Sequence, residues 1–211
     1  MTLSIRLTET TTSFSKKVNL AIAERLNRKI RSKNAYIASR TRNLVQMWVR
    51  AQPELLSLAT AFAAPGSLAS QLGFPYGTSK GVADLVSVAV ASTVRVTVKN
   101  FDSNLNGGVL IEVQPQDFTN LLGLGDISIK GGSLPWLDWM LTQGNATIIT
   151  GYEYNAGTGL GRSGGGNMKS GGAWRVPPEY AGTLDDNFVT RALRGPMQAK
   201  DIARIFQSLF R

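Results

Sequence analysis

The stretch Phe14 to Arg50 (FSKKVNLAIAERLNRKIRSKNAYIASRTRNLVQMWVR) decides how the rest of the chain is read. It holds ten basic residues (Lys16, Lys17, Arg25, Arg28, Lys29, Arg31, Lys33, Arg40, Arg42, Arg50) against Glu24 alone. That surplus equals the +9 net charge of the whole chain, so the remainder is neutral. Val18, Ile22, Leu26, Ile30, Ile37, Leu44 and Trp48 fall, at about 100° per residue, within roughly one third of a helix circumference. The spacing predicts a long amphipathic helix. Lys17, Arg25, Arg28, Arg31, Arg42 and Arg50, with Lys16, project onto the remaining arc and are the candidate contacts for a partner or for DNA. Lys29, Lys33 and Arg40 intrude on the apolar stripe, so either their stems snorkel along it or the helix breaks near Ser32 to Asn34, with Asn34 as cap. Unbroken, the stretch would reach roughly 55 Å at 1.5 Å per residue, longer than a domain of this size needs for its own core.

Composition removes several function classes. The chain has 211 residues, 43% of them hydrophobic, enough for one substantial core. Zero Cys excludes a disulfide framework and thiolate metal sites; zero His excludes Ser-His-Asp and Cys-His catalysis and imidazole ligation. No catalytic, cofactor or metal residue is therefore expected, and the isolated carboxylates have no convergent spacing for an enzyme. Met1 to Thr10 lacks the continuous apolar run of a secretory signal, and Val86 to Ala91 is too short to span a bilayer, so no membrane partner is expected.

Three segments follow: an N-terminal arm and basic helical region over 1–64, a linker loop over 65–81, and a β-rich domain over 82–211. Leu3, Ile5 and Leu7 alternate weakly within Met1 to Ser13, which suits a short strand or an arm added to a neighbour's sheet; Thr10 to Ser13 can cap the first helix. Pro53 opens a second short helix carrying Leu55, Leu56, Leu58 and Phe62. Pro65, Gly66, Gly73, Pro75, Gly77 and Gly81 punctuate the linker. Gly81 to Ala91 is ambiguous between helix and strand. Val94, Val96 and Val98 alternate with polar residues, and Asn106-Gly107 signals a hairpin returning through Val109 to Val113. One or two helical turns are expected in Pro115 to Leu122, a brief strand at Ile127 and Ile129, a helix over Leu134 to Leu141, and a strand over Ala146 to Tyr154. Eight glycines within 155–172 leave a loop unable to hold regular structure by itself. Asp185 or Asp186 caps a helix through Arg194, and Met197 to Arg211 is a terminal amphipathic helix. The fold class is α+β: the long basic helix plus a small antiparallel β-sheet domain with short helices.

Two motifs fail on context. Gly159-Leu160-Gly161-Arg162-Ser163-Gly164 fits the dinucleotide pattern, but Gly165-Gly166-Asn167 cannot open the helix whose N-terminus would meet a pyrophosphate. Lys169-Ser170 lacks the glycines of a phosphate-binding loop. The better use of this segment, with Arg162, Ser163 and Lys169, is as an inter-subunit loop that orders on contact.

Leu134-Pro135-Trp136-Leu137-Asp138-Trp139-Met140-Leu141-Thr142-Gln143-Gly144, Arg162-Ser163-Gly164, Trp174-Arg175-Val176-Pro177-Pro178-Glu179-Tyr180-Ala181-Gly182-Thr183 and Asp186-Asn187-Phe188-Val189-Thr190-Arg191-Ala192-Leu193 together resemble the tail-completion or neck proteins of tailed bacteriophages, over roughly Leu134 to Gly195. The resemblance implies a non-catalytic ring component at the head-to-tail joint of the virion, assembled in the host cytoplasm. It would bind copies of itself, as a hexameric ring by family analogy, together with portal-side and tail proteins, and DNA would pass through its lumen. Whether connector, stopper or tail terminator is not fixed. Within the segment, Trp136, Trp139 and Trp174 read as core, Pro177-Pro178 as an extended path, and Arg175 and Arg191 as partners for Glu179 or Asp138, or for a neighbour. The alternative function is a nucleic-acid-binding protein working through the basic helix.

Overall fold

The computed structural model describes residues 9–60, 64–114, 117–129, 132–157 and 161–210, and in it the basic stretch is two helices. Helix α1 spans Thr11–Ser32 and α2 spans Asn34–Arg50. The break is a single residue. The Lys33 N–H donates back to Ile30 O at 3.1 Å, and its own carbonyl accepts from Ile37 N at 2.9 Å, so the chain tightens for one turn and resumes. Asn34 does not cap: α2 has no side-chain cap bond, and Asn34 Oδ1 is buried with no partner among the described residues. Thr10 does cap α1, its hydroxyl accepting from Ser13 N. Residues 1–8 of the expected arm lie outside the described residues, and 11–13 are already helical.

Helix α2 is the pillar. Its buried row is Ile37, Thr41, Val45 and Val49, stepping by four residues, whereas Leu44 and Trp48, expected on the apolar stripe, are only half-buried. Each four-residue step turns about 40° around the axis, so α2 exchanges one hydrophobic cluster for another along its length. At Ile37 it meets Ile30 of α1 and Ile205 and Leu209 of α9 (Pro196–Leu209), over Val96, Val98 and Val109. At Val45 and Val49 it enters the large core, which draws on α3 (Pro53–Ala59), α4 (Leu68–Gln71), α5 (Ser79–Ser92), α6 (Thr119–Leu122), α7 (Trp136–Leu141) and α8 (Phe188–Leu193).

Several expectations change accordingly. The stretch 65–81 contains α4, and Leu68, Leu72 and Phe74 lie in the large core, so its glycines punctuate short packed elements. Gly81 to Ala91 is helical. Phe62 lies outside the described residues; Leu55 and Leu58 are buried and Leu56 is exposed. Helix α8 is capped by Asn187 in a reciprocal capping box with Thr190, not by Asp185 or Asp186.

The fold class is α+β. Among the described residues the strands form three separate two-stranded antiparallel ladders: β1 (Arg95–Lys99) with β2 (Gly108–Glu112), β3 (Ile127–Ile129) with β4 (Gly132–Leu134), and β5 (Ile149–Asn155) with β6 (Asn167–Trp174). Val96 faces Ile111, and Ile149 faces Trp174. Strand β6 corrects the reading of 155–172 as wholly irregular. Glycine-rich chain holds a strand once a partner supplies its hydrogen bonds, and β5 does so through a register shift between Thr150 and Tyr152, at Gly151 with φ +80°.

Thr41 is the weak point of the α2 row, because its Oγ1 is buried without a partner among the described residues. Thr41→Val keeps the shape and removes the unmet polar atom. It is expected to raise unfolding free energy by about 1 kcal/mol, read as a higher denaturant midpoint at constant slope.

Candidate functional site

Helix α1 divides into three faces. One is fixed to the body: Asn27 Nδ2 donates to Phe101 O at 3.0 Å while Phe101 N donates to Asn27 Oδ1 at 2.8 Å. Arg31 adds Nε and Nη2 bonds to Asn100 Oδ1 at 3.1 and 2.8 Å, and Ile30 is buried beside them. The receiving loop after β1 is itself shaped by Asp102, whose carboxylate accepts from the backbone N–H groups of Asn106 and Asn104; these bonds hold its carboxyl below the ordinary value.

A second face is apolar and open to solvent. Phe14, Val18 and Ile22 recur every four residues and are 54%, 41% and 42% exposed. The expected stripe is therefore real, but its N-terminal half stays about half exposed among the described residues. The reason is where α1 is attached: its hydrogen bonds to the body come from Asn27 and Arg31, more than a turn past Ile22.

The third face is basic. Arg25 and Arg28 are exposed on α1 and Arg42 on α2, and no carboxylate pairs with them among the described residues. Lys17 pairs with Glu9, and Arg50 pairs with Asp84 at 3.0 Å. Lys29 Nζ sits 5.5 Å from the Phe210 ring centre and Arg40 lies 5.4 Å over Tyr36, so two of the cations that intruded on the stripe are stacked on aromatics.

The glycine-rich segment turns inward. Arg162 donates from Nε to Gly73 O at 2.8 Å and from Nη1 to Ser128 O at 3.0 Å. Ser163 is buried against Ser70, and Gly165 O accepts from Ser70 Oγ and Tyr154 OH. Of the three residues expected in an inter-subunit loop, two thus anchor the segment to its own chain; Lys169 is exposed on β6, directly across from Glu153. Gly159 and Leu160 lie outside the described residues, and beyond Gly164 the chain enters a strand, not a helix.

The tryptophans of 134–195 pack within this chain. Trp136 is fully buried, edge-on to Phe74 at 5.3 Å, and donates from Nε1 to Gly125 O at 3.0 Å. Trp139 and Trp174 meet at a tilt of 60° with ring centres 5.7 Å apart, and Trp174 Nε1 donates to Gln71 Oε1 at 3.3 Å. Pro177 and Pro178 enter a turn closed by Tyr180 N donating to Pro177 O, and Arg175 is exposed. Arg191 pairs with neither Glu179 nor Asp138. It bridges Asp186, at 3.1 Å, and Glu54 of α3, tying α8 to the N-terminal region. The Glu54 side chain is only 1% exposed, and burial raises its carboxyl above the ordinary value, with Arg191 pulling the other way.

Sequence reasoning missed Asn27, Glu54 and two surface hollows. A carboxylate in the first turn of a short helix reads as a dipole complement, and nothing local marks it as buried. Of the hollows, one follows α2 as two adjoining depressions that share Asn43 and Met47, the first lined by Arg50 and Leu56 and the second by Tyr36, Arg40, Asp201 and Arg204. The other, about 630 Å³, lies between α8 and the chain entering α6, with Phe118, Val189 and Leu193 in its lining beside Asp117, Asp185 and Arg194. Among the described residues no three His, Cys, Asp or Glu side chains gather as a metal site would require, and no helix is long and apolar enough to cross a membrane. No protein-family model, curated protein or solved structure matches the chain.

Because folded Glu54 holds its proton more tightly than the unfolded chain does, the native state binds more protons just above the ordinary carboxylate range. Stability therefore falls as pH rises from that range through the folded value. Denaturation midpoints across this window are expected to decline for the natural chain and to flatten in Glu54→Gln; an unchanged decline in the variant would assign it to other groups.

Proposed function

We propose that this chain is a structural subunit of a phage neck, a head-tail connector or tail-completion ring that joins portal-side proteins to the tail around a lumen for DNA. The observation that carries the reading is the row Phe14, Val18 and Ile22, three large apolar side chains left in water on a helix that the chain itself holds elsewhere. Each is already about half covered, so completing its burial contributes on the order of 1 kcal/mol, roughly half the value for a fully exposed side chain, and a ring neighbour or adjoining layer would supply that burial. The basic residues next to the row, Arg25 and Arg28 with Arg42 on α2, suit either an acidic protein surface or the phosphates of DNA in the lumen. The resemblance of Leu134 to Gly195 to neck proteins supports the same reading, with sixfold closure by family analogy and the tail terminator as a variant position.

A nucleic-acid-binding protein is the second reading, favoured by the same unpaired guanidiniums at Arg25 and Arg28. The two separate on one set of variants. Charge reversal at Arg25 and Arg28 is expected to block assembly with neck partners while leaving duplex DNA affinity and its salt slope little changed. Loss of DNA affinity with assembly intact would favour the second reading, in which log affinity falls with log salt by about 0.9 per phosphate contacted. A particle that stays monomeric both alone and with neck partners contradicts the ring.

A further inference from the structure

Resting on the ring reading, we infer that the open side of α1 seats an acidic amphipathic helix of a different protein in the adjoining layer, not a second copy of this chain. At about 100° per residue, Phe14, Val18, Arg25 and Arg28 fall on one side of α1, opposite Ala23 and Ile30, which are buried. The apolar row and two guanidiniums thus share the side turned away from the body, with Ile22 at its edge. Toward its N-terminus the helix outruns its support, since residues 11–18 are exposed on every side. The neighbouring cations are engaged: Lys17 with Glu9, Lys29 on the Phe210 ring, and Arg31 with Asn100. Arg25 and Arg28 have no ion pair among the described residues, not even with Glu24 one turn before Arg28.

A second copy does not supply the opposite sign. Each copy adds +9, all of it from residues 14–50, and the rest of the chain is neutral. Closing copies on one another therefore accumulates positive charge with nothing to offset it. Asp84, Glu54, Asp186 and Asp201 are each already paired with an arginine of their own chain. Among the described residues no three acidic side chains gather in one place, so a copy presents no acidic cluster to this side of α1. Laying α1 on α1 brings like charges together. The compensating charge has to come from another molecule.

The row decides which kind of molecule. Duplex DNA offers phosphates to Arg25 and Arg28, but its backbone has no apolar surface to cover Phe14 and Val18 beside them. A polypeptide offers both. Phe14, Val18 and Ile22 step by four residues, the ridge that seats in the groove of a second helix, and acids flanking that helix's apolar stripe would meet the two guanidiniums. Exposed ion pairs add little affinity, so the row supplies the binding and the cations select the partner.

The chain has no cysteine, so full-length Ser15→Cys, exposed beside the row, carries a single photo-crosslinker into the native particle. On illumination the expected product joins this chain to a different polypeptide, at a segment whose acidic residues flank apolar residues four apart. Arg25→Glu with Arg28→Glu is expected to abolish that product, and reversing the mapped acids of the other polypeptide to Lys to restore it; a product that persists in the double variant overturns the selection by charge. A product of two copies, a product confined to one copy, or none from a particle that contains the labelled chain overturns the acidic partner and leaves the ring reading standing. A product with DNA overturns it in favour of the nucleic-acid reading. A chain that stays monomeric alone and with neck partners overturns both the partner and the ring.

Discussion

Helix α2 must serve two hydrophobic clusters with one face, and the rest of the structure follows from how it does so. Ile37, Thr41, Val45 and Val49 are all buried, each four residues from the last. A strictly straight row would face one partner; a row that turns about 40° per step faces two in succession. The first partner is the small cluster of α9 and β1–β2, and the second is the large core of α3 to α8. Arg191 with the buried Glu54 then ties the far end of the fold back to α3. Removing Arg191 would leave the buried Glu54 carboxylate without its cation, whereas Arg191 itself is partly open to water.

Helix α1 is what remains after α2 has been satisfied. The one-residue break at Lys33 separates it from the pillar, and its hold on the body comes through Asn27, Ile30 and Arg31 near its C-terminal end. Roughly the first 18 Å, at 1.5 Å per residue, carries Phe14, Val18 and Ile22 in water beside a line of cations. A face of that kind is costly for a lone subunit and useful to an assembled one.

Much of this was legible in the sequence and part was not, for separable reasons. The β1–β2 hairpin, the Thr10 cap, the Pro53 helix start, the buried tryptophans and the terminal amphipathic helix follow local rules of period, capping and side-chain size, and they are found. The α2 row was obscured because Thr41, a polar residue, occupies a fully buried position, leaving Leu44 and Trp48 as the more conspicuous apolar pair. The strand β6 was hidden because its glycines have no strand preference of their own; the ladder with β5 imposes it. Asn27, Glu54 and the α6–α8 hollow depend on residues 74, 137 and about 70 positions away in sequence, and periodicity carries no information over such separations. The charge surplus of residues 14–50 was visible at once; which part of its apolar stripe the chain covers was not.

The central physical claim is that the α1 row is covered by another polypeptide. A side-chain-resolution image of the native assembly tests it most directly. The expected result is Phe14, Val18 and Ile22 buried against a neighbouring chain, with Arg25 within ion-pair distance of a carboxylate; the row open to solvent in every subunit of the assembled particle would contradict it.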